Sequence, residues 1–221
     1  MKRAWSYSAL TAFETCPRQF YLLKVAKEVK EEESEAIRWG NEVHKALELR
    51  IKDKTPLPRE MARYERLVRA LEAKPGELLA EEKVAVTEDF EKVAFFDRSV
   101  WLRCILDVQL RHPDGRTLFV GDWKTGKRKP DDDQTALFAA LSMSLDERLE
   151  RVVAAYIWLK EDRMDSYVYE RAHLSSLWNR FLPRVERLYI AHERDAWPAR
   201  PSGLCRKWCP VGRSRCEFCG G

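Results

Sequence analysis

At 221 residues and 45% hydrophobic content, the chain is long enough to bury a sizeable core without cross-links, as one domain or one domain with an appendage. Its longest apolar run, residues 152–159, falls far short of the roughly 20 residues that a membrane-spanning helix requires, and the segment from Met1 to Tyr7 lacks the apolar stretch of a signal peptide. The expectation is a soluble, cytoplasmic protein with no membrane partner, and a net charge of +4 that neither identifies nor excludes a nucleic-acid partner.

In chain order, Ser6-Tyr7-Ser8 ahead of Leu10, Phe13, Phe20 and Leu23 predicts a short capped helix over 8–15 and another from 17 onward. The charged stretch 24–35 reads as a solvated helix end or loop. Ser34 is a candidate N-cap for a helix over 34–51, Pro56 and Pro58 break the chain, and an amphipathic helix over 60–73 ends at Lys74-Pro75-Gly76. Alternation then predicts strands over 82–87, 100–110 and 117–123. Pro130 and Asp131-Asp132-Asp133 open a helix, with the acids where its dipole favours them, and it runs through 145. A buried strand over 152–159, a partner over 165–170 and a long helix over 173–195, with Pro183 as its kink point, complete the regular elements.

These elements predict an α/β fold with a mixed central sheet flanked by helices. The division is a domain over 1–200 (a helical part over 1–80, a catalytic sheet over 81–172, a long helix over 173–196) and a Cys-rich segment over 197–221 that has no periodicity.

The most informative segment runs from Ile105 to Gly126. Asp114-Gly115 between two alternating apolar runs is a strong hairpin signal. With those two residues as the turn, Pro113 faces Arg116 and Asp107 lies directly opposite Asp122. Leu106, Val108, Leu110, Phe119 and Trp123 then share a core face, and Asp107, Gln109, Asp122 and Lys124 the other. Opposed residues have Cβ atoms about 4.5–5.5 Å apart, so the two carboxylates repel unless a cation lies between them. Oxygen ligands suit Mg²⁺ or Mn²⁺, and an ammonium from Lys124 beside them can orient an attacking water. Two blander readings stay open: a hairpin with solvated acids on its outer face, and a one-residue slip that separates them.

Cys16 and Cys104 stand alone, whereas Cys205, Cys209, Cys216 and Cys219 crowd the tail. In a reducing compartment that cluster reads as a metal site, with four-thiolate Zn²⁺ one candidate, and Cys104 reads as a small core residue.

Several segments resemble, in order, the motifs of the RecB-like branch of the PD-(D/E)XK nucleases, the family of the RecB and AddB nuclease domains and the CRISPR-associated RecB-like exonucleases. Ser6-Tyr7-Ser8 through Phe13, Cys16-Pro17 and Phe20 is similar to the family's opening, and Gly40-x-x-x-His44 to its histidine motif. Asp107 stands at its first metal-binding Asp. Gly121-Asp122-Trp123-Lys124-Thr125-Gly126 resembles its Asp-x-Lys motif, and Gln134-x-x-x-Phe138 its Gln-x-x-x-Tyr motif. Two departures stand out: Ile105 lies where the family tends to have a Gly ahead of its Asp, and Phe138 replaces the usual Tyr.

The resemblance implies a restriction-endonuclease-like core and a Mg²⁺- or Mn²⁺-dependent phosphodiesterase acting on DNA, an exonuclease of recombination, repair or defence. Asp107, Asp122, Lys124 and His44 would be catalytic. His44, Asp107, Asp122 and the main-chain carbonyl of Trp123 would hold the metal. Gln134 and the basic loop Lys127-Arg128-Lys129 would contact DNA, with the helix N-terminus adding to phosphate attraction. The resemblance also allows Glu81 or Glu82, placed ahead of the first strand, as a further carboxylate. For the tail it implies a [4Fe–4S] cluster on Cys16, Cys205, Cys209 and Cys216, packed back near Cys16, with Cys219 as an alternate ligand; Zn²⁺ and unligated thiols remain alternatives. Two further readings of the chain are a catalytically silent DNA-binding module and a Zn²⁺-anchored interaction subunit of a larger helicase or recombination/integration complex.

Overall fold

The computed structural model describes residues 3–128 and 131–219. The chain separates into two units, one of Met1–Glu33 with Arg180–Gly221 and one of Ser34–Asn179.

In the first unit, Ser6 caps α1 (Tyr7–Thr15) by accepting the Ala9 N–H at 3.2 Å. Cys16 is extended, and Pro17 then opens α2 (Pro17–Phe20), where its missing N–H is no loss. A π-type turn, Tyr21–Val25, follows, and the charge-rich stretch beyond it has no regular structure until residue 35. Trp197 stacks on Tyr21 at 5.2 Å and meets the rings of Phe13, Phe20 and His192. The tail continues past Cys16, whose sulfur accepts the Arg200 N–H at 3.4 Å, and Val211, Cys216 and Cys219 bury against Leu22.

The second unit opens with α3 (Glu35–Lys52), capped as expected by Ser34. The helix expected over 60–73 is two pieces, a 3₁₀ segment (Arg59–Tyr64) and α4 (Glu65–Glu72). Arg50 ties α3 to α4 through bonds to both Glu65 and Glu72.

The sheet follows: β1 (Glu77–Val86), β2 (Leu102–Arg111), β3 (Thr117–Lys124), β4 (Arg151–Trp158) and β5 (Arg163–Glu170), in spatial order 1-2-3-4-5. Only β3 and β4 are parallel, and α5 (Asp133–Leu145) makes the crossover that such a pair requires. A last helix, α6 (Leu174–Glu193), includes Pro183. The expected mixed sheet flanked by helices is therefore present. One correction concerns β1, which begins at Glu77 rather than residue 82. Leu78-Leu79-Ala80 does not alternate, yet it pairs with residues 108–110 of β2, so Glu81 and Glu82 lie inside the strand.

Val43, Leu47 and Ile51, four residues apart along α3, pack with Val68 and Leu71 of α4 against Val108, Trp123 and Ile157 of the sheet. Phe119 joins this cluster from the margin. On α5 every residue from Thr135 to Met143 is buried, Phe138 included, so the polar positions beneath it are closed off from water.

Candidate active site

The β2–β3 register is the one that places Val108 opposite Gly121 and Arg111 opposite Leu118. The turn corrects the two-residue expectation. His112 still pairs with Thr117, and Pro113 to Arg116 form a four-residue loop with Gly115 at φ +66°. Asp114 stabilises it by accepting the N–H groups of both Arg116 and Thr117. The register survives because two residues are added to the loop symmetrically, one on each side.

The ladder stops at Val108–Gly121, before Asp107 and Asp122 can pair directly. Beyond that point site residues satisfy the backbone of Trp123. Its N–H donates to Asp107 Oδ2 at 2.8 Å, and its carbonyl lies 2.9 Å from His44 Nε2. The β1–β2 ladder is interrupted at the same level: Ala80–Val108 and Glu82–Leu106 pair, while Glu81 between them takes φ +47°. His44 reaches in from α3, with Nδ1 3.4 Å from Asp107 and 3.6 Å from Glu81. Ligand atoms of His44, Glu81 and Asp107 all lie within 4.8 Å of one another, which no other His, Cys, Asp or Glu trio achieves among the described residues.

This hard donor set of one nitrogen and two carboxylates fits a divalent cation such as Mg²⁺ or Mn²⁺. Its electrostatics point the same way. Burial opposes a charge on His44, but its hydrogen bonds to Asp107 and Glu81, with the charges of Asp107 and Asp122, outweigh it and raise the imidazole pKa to about 10.

Asp122 belongs to a second group. Its Oδ1 accepts from Gln134 Nε2 at 2.8 Å, and its Oδ2 lies 2.6 Å from Lys124 Nζ as an ion pair without hydrogen-bond geometry. Lys124 Nζ also donates to Gln134 Oε1 at 2.9 Å and sits 5.3 Å from the centre of the Tyr156 ring. Burial raises the Asp122 carboxyl pKa; Lys124 opposes that, and Asp107 adds to it. Asp107 and Asp122 are only 7% and 4% exposed, so neither is a solvated acid on an outer face.

The expected DNA contacts fare differently. Gln134 has both side-chain atoms on Asp122 and Lys124 rather than open to a ligand. Arg128 is held by Asp165 through two bonds of 2.5 and 2.9 Å. Lys127 is exposed and makes no ion pair among the described residues, and Lys129 lies outside them. Trp123 offers its carbonyl to His44.

Of the two acids the resemblance allowed as a further carboxylate, it is Glu81, at the break in β1, that joins His44 and Asp107. One residue of the candidate site escaped the sequence. Tyr156, opposite Asp122 in the parallel β3–β4 pair, accepts the Gln134 N–H through its hydroxyl. No local pattern fixes a register that spans a whole crossover helix.

In the first unit, Cys16, Cys205, Cys209, Cys216 and Cys219 line one cavity. Burial first, and then the sulfurs of Cys209 and Cys216, push the Cys219 thiol pKa well up. Cys104 is buried in β2, as a small core residue would be. Among the described residues no helix is long and apolar enough to cross a membrane.

Comparison with known proteins covers nearly the whole chain. The profile of the PD-(D/E)XK nuclease superfamily matches residues 4–217. A search of curated proteins gives no significant match. The crystal structure of a "Putative exonuclease" from Eubacterium rectale is similar with a TM-score of 0.53 and 14% identity, over 94% of this chain and 87% of that one. The crystal structure of SSO0001 is similar with a TM-score of 0.43 and 16% identity, over 96% of this chain and 84% of that one. At such identities the likeness concerns the fold, and only the first of the two carries weight.

Proposed function

The chain belongs to the PD-(D/E)XK nuclease superfamily, and on that premise we propose that it is a Mg²⁺- or Mn²⁺-dependent deoxyribonuclease that removes nucleotides from DNA ends. The observation that supports this most is the gathering of His44, Glu81 and Asp107 within 4.8 Å, beside the Asp122–Lys124–Gln134 group.

Glu81 and Asp107 supply carboxylate oxygens. His44 would ligate through Nδ1 while Nε2–H donates to the Trp123 carbonyl, a partner arrangement that fixes ring orientation. That bond uses one lone pair of the carbonyl, and the other would remain for the ion. A divalent ion bound here would lower the pKa of a water and polarise the scissile phosphate. Asp122 would face the same ion from β3. Lys124, fixed by Asp122, Gln134 and the Tyr156 ring, would orient the attacking water and offset charge building on the phosphate. Gln134 acts in this reading by holding Lys124 and Asp122 together.

For the cysteine cavity we favour a [4Fe–4S] cluster over Zn²⁺. The support for it is the motif resemblance, in which Cys16 and the tail cysteines stand in the cluster's order, one thiolate to each iron. Either would tie the irregular tail to Cys16. Work in recombination, repair or defence, with a helicase or integration partner, follows from the motif resemblance.

The decisive experiment is digestion of end-labelled linear DNA in Mg²⁺ or Mn²⁺. Wild type should release nucleotides from the ends, spare a covalently closed circle, and stop in chelator. Asp122→Ala should be inactive, and equal digestion by both proteins would refute the site.

A further inference from the structure

Next to the carboxylates, β1 and β2 carry a row of side chains that the site above does not use. Ala85 pairs with Arg103 and Lys83 with Ile105, so Lys83, Arg103 and Ile105 share one face of the strand pair. Ile105 lines the same groove as His44, Glu81 and Asp107. The β1–β2 loop folds onto this row, anchored where the Val93 N–H donates to the Ala85 carbonyl at 3.0 Å. Phe95 lies 5.9 Å from Lys83 Nζ and 5.8 Å from the Arg103 guanidinium. Phe96 lies 5.5 Å from that guanidinium, meets Phe95 edge-on, and is 80% exposed.

The cations here are unusual. Arg111, on the same strand as Arg103, has Glu82 at 3.6 Å. Neither Lys83 nor Arg103 makes an ion pair among the described residues, and Arg103 Nε is buried with no hydrogen-bond partner. Ring faces attract a guanidinium, but they do not take its N–H groups as an oxygen does. An exposed aromatic beside unpaired cations, continuous with a phosphodiesterase site, has the makeup of a surface for unpaired bases and their phosphates.

We propose that Phe96 and Phe95, with Arg103 and Lys83, form a platform that binds single-stranded DNA and leads it to the carboxylates. The inference rests on the nuclease reading. Bases stack on the exposed face of Phe96, and phosphates take the terminal N–H groups of the Arg103 guanidinium, not its buried Nε, and the Lys83 ammonium. Arg103 lies four residues before Asp107, about 13 Å at the strand rise, or roughly four nucleotides at the stacked spacing of about 3.4 Å. A duplex hides its base faces, so the platform selects unpaired strands.

The test is fluorescence anisotropy in chelator with an oligothymidylate of about 16 nucleotides, the upper end of common single-strand site sizes, an abasic strand of equal length, and a blunt duplex. Phe96→Ala, at an exposed position, should bind the oligothymidylate about 5-fold or more weakly and leave the abasic strand and duplex unchanged. Arg103→Gln should weaken both single strands and reduce the salt slope by about one. Unchanged oligothymidylate binding by Phe96→Ala, or equal loss on the abasic strand, overturns the platform. Binding is read without turnover, so a protein that shows the Phe96-dependent preference but cuts no DNA in Mg²⁺ or Mn²⁺ keeps the platform and loses the nuclease reading.

Discussion

Asp107 takes the peptide N–H of Trp123 on its Oδ2 at 2.8 Å, at the point where the β2–β3 ladder has ended. One carboxylate therefore closes the strand pair and supplies a donor to the His44–Glu81 group. Asp107→Asn separates the two roles, because the amide oxygen still accepts that N–H while the negative charge is gone. Cleavage of labelled DNA should fall by more than about 100-fold, since even outer-shell partners of a metal site are worth 10–100-fold. The thermal midpoint should stay near that of the wild type.

Gln134 distinguishes positioning from DNA contact. It bridges Asp122 and Lys124 through its side-chain nitrogen and oxygen. Gln134→Ala should lower kcat by about 10–100-fold with little change in KM for DNA. A raised KM at unchanged kcat would restore the DNA-contact role expected from the sequence.

Gly121 sits where the sheet has no room for a side chain. A Cβ there would come within 2.8 Å of both Val108 Cγ1 and Ile157 Cδ1. Gly121→Ala should destabilise the protein by about 1–3 kcal/mol through overpacking, read as a lower urea midpoint at an unchanged m-value.

Acid should weaken the α3–α4 contact. Hydrogen bonds from Arg50, then from Arg69, hold the Glu65 pKa near 2 against an ordinary 4.5, and Glu72 is also lowered, first by Arg50. A depressed carboxylate contributes stability above its unfolded pKa and loses it as pH falls through the folded one. Wild type should lose stability from about pH 4.5 towards pH 2. Arg50→Met should be less stable at neutral pH and should lose less over that range, in urea titrations at both ends.

The cysteine cavity has a readout independent of DNA. Anaerobically purified protein should be brown and contain iron, and Cys16→Ser should lose most of both. Colourless protein holding one equivalent of zinc would favour the single-ion alternative.

Much of the fold and part of the site were legible locally. The caps at Ser6 and Ser34 follow from a hydroxyl placed three residues before a free N–H. The hairpin register follows from Asp114-Gly115 and the period-two alternation on either side of it, and it tolerated a longer loop because a symmetric insertion shifts neither strand. Asp107, Asp122 and Lys124 were therefore candidates from that hairpin register, and His44 from the resemblance carried by Gly40-x-x-x-His44.

Other features depend on partners brought from far along the chain. Glu81 joins the site through a left-handed residue that breaks its strand, and Tyr156 through a parallel pairing made across α5. Gln134 is drawn onto Asp122 and Lys124, and Arg128 onto Asp165, pairings that no local pattern shows. Short-range order came from the sequence itself, since backbone sterics and hydrophobic period act between neighbours. Which carboxylate met which cation was decided by tertiary structure, because such contacts depend on the positions of elements that only the packed core sets.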